Sequence, residues 1–301
     1  MATMTDTEAP TNVRPSHDYH AEAHVLSGYL QRPINQKIEP QAPLSLSDRR
    51  GGHFTRHVDD FNVEGLISFT RGETRLSGAR SLKNNGWVTI STSILEGLNV
   101  FEIIGADRLV TQVSTDHAYQ NGHIPHVTFL GTQFTNFRVG GFPVELTLTL
   151  GVCGDVPAND QSYFEDAQFL RRVKQQTETI FKASGLPKDL KDQYDKKLAY
   201  VNELIGAKPG SQSVHEPITC SVVENIGDIP IPGVQQFGHI LVIPEFGHVA
   251  LGEIQLSEKK YDDIERPCVS FELTGVRMKL GCVGDGALAA GTSKTNGTTR
   301  P

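Results

Sequence analysis

The chain has 301 residues, with 35 acidic and 28 basic side chains and a formal net charge of −7. That length holds one large or two ordinary domains, and an acid excess without any run of Lys or Arg excludes general binding to nucleic-acid phosphates. A 38% hydrophobic share, with charges of both signs spread along the chain, describes a folded protein. The glycines and prolines fall as single turns, which suits many short strands.

Residues 1–22 show neither the basic start nor the apolar run of a secretory signal and read as a flexible N-terminal segment. No stretch of 18 apolar residues follows, so no membrane span is expected. The expected location is cytoplasmic by the lack of a signal, or the cell surface if another export route is used. Residues 21–38 alternate in part and end at prolines, as an edge strand would. Strand patterns continue at 58–69 and 73–82, then after Asn84-Asn85-Gly86 at 87–95 and 100–104. Residues 127–139 meet 142–152 across Gly140-Gly141, a turn that needs glycine's positive φ.

The period changes after Asp160. Phe169, Leu170, Val173, Ile180 and Phe181 recur at helical spacing, and Gly185-Leu186-Pro187 separates them from a second stripe containing Tyr194 and Leu198. Residues 160–206 are therefore expected to form a helical hairpin. It would be inserted into a mainly β domain, a sandwich or barrel built from residues 23–153 plus 218–290. Strand patterns resume at 218–223, 239–243, 248–256, 269–273 and 276–280, and residues 292–301 read as a flexible tail. A helical stripe can pack on its own sheet or meet another subunit, and Phe169, Val173, Tyr194 and Leu198 are the candidate interface. Cys153, Cys220, Cys268 and Cys282 are far apart with no C-x-x-C pair, and read as buried free thiols, or as two disulfides if the compartment is oxidising.

Four segments come in an order that resembles the bacterial choice-of-anchor P proteins. They are Leu26-Ser27-Gly28-Tyr29-Leu30, Val63-Glu64-Gly65-Leu66-Ile67-Ser68, the run from Phe134 to Val144, and Gly275-Val276-Arg277-Met278. The resemblance spans residues 23–153 and 218–290. It implies a β-rich module, usually exported and attached to the cell surface by interchangeable C-terminal signals, with no established enzymatic activity. The helical insertion departs from that pattern, and the resemblance assigns no functional residues.

Histidine, with 11 copies, is the residue type that points to chemistry. His117, His123 and His126 beside Asp116 could supply a divalent metal with neutral imidazole ligands. His53 and His57 precede Asp59-Asp60, and His239 and His248 flank the turn 244–247. No G-x-S-x-G elbow, Walker loop or G-x-G-x-x-G after a strand is present, so no nucleotide cofactor is expected. The sequence favours a non-catalytic structural or binding β-domain, acting as a homo-oligomer or on another protein. The alternative is a metal-dependent enzyme using the histidine loops.

Overall fold

The computed structural model describes residues 15–120, 122–158, 161–208, 215–259, 268–281 and 285–300. Strands β1 (Ser16–Leu30), β2 (Gln36–Ile38) and β3 (Leu44–Asp48) precede a meander of β4 (Gly52–Val63), β5 (Ile67–Arg80), β6 (Trp87–Val100) and β7 (Ile104–His117). Short strands β8 (His126–Thr128), β9 (Gln133–Thr135), β10 (Arg138–Val139), β11 (Phe142–Pro143) and β12 (Leu146–Leu148) lead to helices α1 (Ala167–Phe181) and α2 (Lys188–Gly206). The chain returns through β13 (Ile218–Ser221), β14 (Val223–Ile226), β15 (Gln235–Phe237) and β16 (Ile240–Ile243). It ends in β17 (Gly247–Lys259), β18 (Cys268–Leu280), β19 (Gly286–Thr295) and β20 (Thr298–Arg300).

An eight-stranded antiparallel sheet runs β11-β10-β7-β6-β5-β4, with β8 and β9 also on β7. A ten-stranded one runs β15-β16-β17-β18-β19-β1-β2, with β13 on β17 and with β3 and β20 on β1. Neither path closes, so the barrel alternative gives way to two open sheets stacked as a sandwich, with β1, β19 and β18 lying over β5, β6 and β7. Segments from both sides of the helices share the ten-stranded sheet, because β1 pairs with β19 on one side and with β2 and β3 on the other.

Several expectations change here. β1 is an interior strand, not an edge, and it takes in Ser16 to Glu22 of the segment 1–22 expected to be flexible. The expected tail, 292–301, is structured through Arg300: Thr292, Ser293 and Thr295 are buried in β19, and β20 pairs with β1. Its Ser and Thr look like linker residues, yet they fill the narrow space between sheets. Residues 58–69 are not one strand, since Glu64 and Gly65 take positive φ and close a β4–β5 hairpin. At Gly140-Gly141 (φ +55° and +82°) the turn is present. Its arms are only two residues long, because β9 pairs with β7 and β12 with β14 instead.

Both sheets share one irregularity. Strand pairing breaks along a line through Asp60, Thr70, Gly97 and Asp107 in one sheet, and through Gly252, Gly275, Gly291 and Val25 in the other. Asp60, Gly97, Gly252 and Gly291 have φ between +53° and +66°, left-handed residues that interrupt the ladder while the register on either side stays the same, so none is a β-bulge. Aligned across neighbours, these breaks make a crease. Leu109 fits against the second crease: a Cβ on Gly275 would lie 2.9 Å from Leu109 Cδ1, and one on Gly291 would lie 3.2 Å from Leu109 Cδ2.

The helices cover the sheet that they interrupt. Asp166 caps α1, its carboxylate accepting from the N–H groups of Gln168 and Phe169 at 2.9 and 3.3 Å. α2 lies along β17, with Asp189 Oδ2 3.7 Å from His248 Nδ1 and Lys197 Nζ 3.8 Å from Glu253 Oε1. Phe169, Val173 and Tyr194 are buried in the chain's own core, and Leu198 is half-buried. Intramolecular packing therefore accounts for that stripe, and the helical interface expectation is corrected.

Candidate functional site

The space between the sheets becomes polar toward the end that holds the start of β1. Ser91 and Ser93 on β6 donate to the carbonyls of Glu22 and His24 on β1, at 2.7 and 3.1 Å, and the Thr111 and Ser293 hydroxyls meet at 3.1 Å. Small hydroxyl side chains let the sheets approach closely enough for such bonds. Continuing along the same faces of β6 and β7 come Thr89 and Trp87, then Thr115 and His117, each set two residues apart. β1 contributes His17 and Tyr19 to this end.

His17 and His117 lie 100 residues apart in sequence, yet their ring centres are 4.7 Å apart. Only 3% of His17 and none of His117 is exposed. His17 stacks on Trp87, 5.3 Å between centres at 15°, with Tyr19 edge-on at 4.8 Å. Outside, the Arg80 guanidinium lies over Trp87 at 4.7 Å and over Tyr119 at 5.7 Å. Burial pushes the His117 pKa down to about 4 and that of His17 to about 2, the latter also lowered by His117 and Arg80. Both rings are neutral at ordinary pH. His117 Nδ1 lies 2.8 Å from the Gly122 carbonyl, which can only accept, so Nδ1 carries the proton and Nε2 the lone pair. His17 Nδ1 meets Thr299 Oγ1 at 3.0 Å. The Nε2 atoms of both rings, and the Thr89, Thr115 and Thr295 hydroxyls, are buried without a hydrogen-bond partner. Chemically this end offers two neutral lone-pair donors in an aromatic shell.

His117, His123 and His126 do not assemble as a ligand set. His126 pairs with Asp116 on β7, and neighbouring strand residues face opposite sides, so His126 is on the other side of the sheet from His117. Among the described residues no three or more His, Cys, Asp or Glu side chains are grouped to hold a metal ion. His53, His57, Asp59 and Asp60 are exposed on β4, His57 opposite Glu73. His239 and His248 part company: Val242 pairs with His248, whereas the His239 carbonyl accepts from Leu251 N at 3.0 Å. Cys153 and Cys220 are free and buried, Cys268 is buried with its Sγ accepting from Thr298 Oγ1 at 3.0 Å, and Cys282 is outside the described residues.

Sequence reading missed a second polar cluster, beneath α2. Arg277 Nε is 2.7 Å from Glu253 Oε2, and Lys197 Nζ sits 4.7 Å from the Tyr194 ring centre. Burial lowers the Lys197 pKa against the raising effect of Glu253, and burial pushes His239 down to about 4. These side chains come from α2, β17, β18 and the turn between β15 and β16, and a paired charge under a helix is satisfied where it stands.

One further surface stands out. β4, 12 residues long, is the last strand of its sheet and is paired only with β5 among the described residues. Side chains on both its faces are exposed, Phe54 by 44%.

No curated protein and no solved structure matches the chain. One family does match, over residues 17–257, a span that begins at His17 and includes β4 and His117. The match covers well over half of the sequence, and the chain belongs to the family described as Domain of unknown function (DUF8256).

Proposed function

We propose that this chain is a non-catalytic assembly domain whose β4 edge pairs with β4 of a second copy, continuing the eight-stranded sheet across the contact. The observation that carries this is the bare edge itself. Proteins shorten, cover or interrupt a free edge strand because its unpaired N–H and C=O groups template pairing, and β4 offers 12 residues with neither proline nor lysine among them. A two-fold axis at Arg56 sets Phe54 across from Val58 on one face and His53 across from Asp59 on the other, apolar against apolar and imidazole against carboxylate. The left-handed residue Asp60 (φ +53°) limits how far the paired stretch extends. The resemblance to choice-of-anchor P modules supports the same class of role.

Sedimentation over a range of concentrations tests the proposal, with Thr55→Pro and Arg56→Pro as paired variants. Adjacent strand residues direct their N–H groups alternately toward β5 and away from it. One variant breaks the β5 ladder and lowers the melting temperature. The other removes only an outward N–H, and it is expected to abolish dimerisation while leaving the melting temperature close to wild type. A wild-type chain that stays monomeric at its highest attainable concentration overturns the proposal.

A further inference from the structure

We infer that the cleft between α1 and the β12–β14 pair binds a free amino acid with an aliphatic side chain, the carboxylate resting on Arg172 and the ammonium on Glu224. The cleft encloses about 240 Å³ and includes no residue of β4. That is below the roughly 300–1,000 Å³ of sites for drug-sized molecules, so it takes one small molecule rather than a peptide.

Helix α1 builds one wall, with Arg172, Gln176 and Ile180 a turn apart on the same face. Gln176 bonds both ways to Ser221, its amide N–H donating to the carbonyl at 3.0 Å and its oxygen accepting from the backbone N–H at 2.9 Å. That fixes the helix against the strands. At the far end Gly238 (φ +59°) lets the turn between β15 and β16 close on the helix, since a Cβ there would lie 2.9 Å from Ile180 Cγ1. Val152, Ile180 and Val223 are buried and make the floor apolar. His239 also lines the cleft, and burial keeps its ring neutral at ordinary pH, so Arg172 and Glu224 supply the charge.

Those two charges are opposite, yet neither has an ion-pair partner among the described residues. Each is tied to its own side instead. Arg172 donates from Nε and Nη2 to the carbonyls of Val152 and Cys153, both at 2.8 Å, which leaves Nη1 unused. Glu224 accepts from Thr149 Oγ1 at 2.7 Å through Oε2, which leaves Oε1 unused. A guanidinium and a carboxylate held apart across one cleft are prearranged for a molecule that carries both charges. A simple anion would meet Glu224 and a simple cation would meet Arg172, like against like. The apolar floor then selects an aliphatic body.

Isothermal titration calorimetry of the full chain with L-leucine is the test. Isocaproate, which lacks the ammonium, and leucine amide, which lacks the carboxylate, are the companion probes. Leucine is expected to saturate a single site, and each companion to bind roughly 10–100-fold more weakly, the cost of one charge-assisted hydrogen bond. Glycine, without the side chain, should also bind more weakly than leucine. Glu224 is exposed, and an amide oxygen can keep the bond from Thr149, so Glu224→Gln should leave the melting temperature unchanged. It should weaken leucine by the same factor while isocaproate binds as well as before or better, a crossed response that a merely structural change would not give. In wild-type protein, leucine should shift backbone amide NMR signals of α1 and β14 and leave those of β4 in place. Absence of saturable leucine binding, isocaproate binding as tightly as leucine, or a Glu224→Gln chain that binds leucine as wild type would each overturn the inference.

Discussion

His117 drew attention in the sequence because His123 and His126 stand near it, but its real neighbour is His17, on a strand 100 residues earlier. Proximity in sequence predicts proximity in space poorly once a chain is pleated, because Asp116 and His117 already face opposite sides. The burial of these rings has a consequence for pH. Folded His17, His117 and His239 hold pKa values of about 2, 4 and 4, all depressed below the unfolded value of 6.5. Below pH 6.5 the unfolded chain therefore takes up protons that the folded chain refuses, and stability falls as pH drops from 6.5 toward 4. Each such proton is worth about 1.4 kcal/mol per pH unit. His24 and His248, also lowered, act in the same direction, whereas Glu258, raised by burial, opposes it. The melting temperature should drop steeply between pH 6.5 and 4.5. His17→Phe, which suits the stack on Trp87, should flatten that slope, and an unchanged slope would show that His17 already protonates in the folded state.

At the level of elements, periodicity located both helices and most strands, because side-chain spacing is a local property. The creases were not legible: a lone glycine in a strand signals a bulge at most, and alignment of Gly252, Gly275 and Gly291 exists only after the strands are in register. These positions separate two costs of a methyl group. Gly65 (φ +71°) has nothing within 4 Å of a new Cβ, so Gly65→Ala should cost only the strain of a left-handed residue, about 1 kcal/mol. At Gly252 (φ +57°) the new Cβ would lie 2.6 Å from Val222 Cγ2. Gly252→Ala should cost clearly more than Gly65→Ala in urea unfolding, and equal midpoints would mean that the crease relaxes freely. For the helical stripe, Phe169 is fully buried with its ring edge-on to Tyr163 at 5.5 Å. Phe169→Ala should remove about 3–5 kcal/mol of stability, far more than loss of an intersubunit contact would take from a monomer.

For the whole molecule, β class and the interrupting helices could be read from the chain, but the partners of each strand could not, since partner choice is settled by long-range packing. The C-terminal segment shows why composition misleads: Thr, Ser and Gly in 292–301 read as a flexible tail. In place they are the small residues that let two sheets touch, with Ser293 bonded to Thr111. Deleting residues 292–301 should therefore abolish cooperative unfolding, as followed by circular dichroism, rather than leave a trimmed but intact domain. β1 would lose β20 altogether and part of its ladder with β19.

The position of β1 between β19 and β3 also sets a clock. At roughly 5–20 residues per second of synthesis, β1 is made about 15–50 s before β19, the strand that flanks it on one side. During that interval the β4–β7 meander can pair within itself, while the face that β1 and β19 will cover stays open to water and to neighbouring nascent chains. The last step of folding is then the capture of the first strand by nearly the last. How fast the protein matures in a cell will depend on how well β1 is sheltered while it waits.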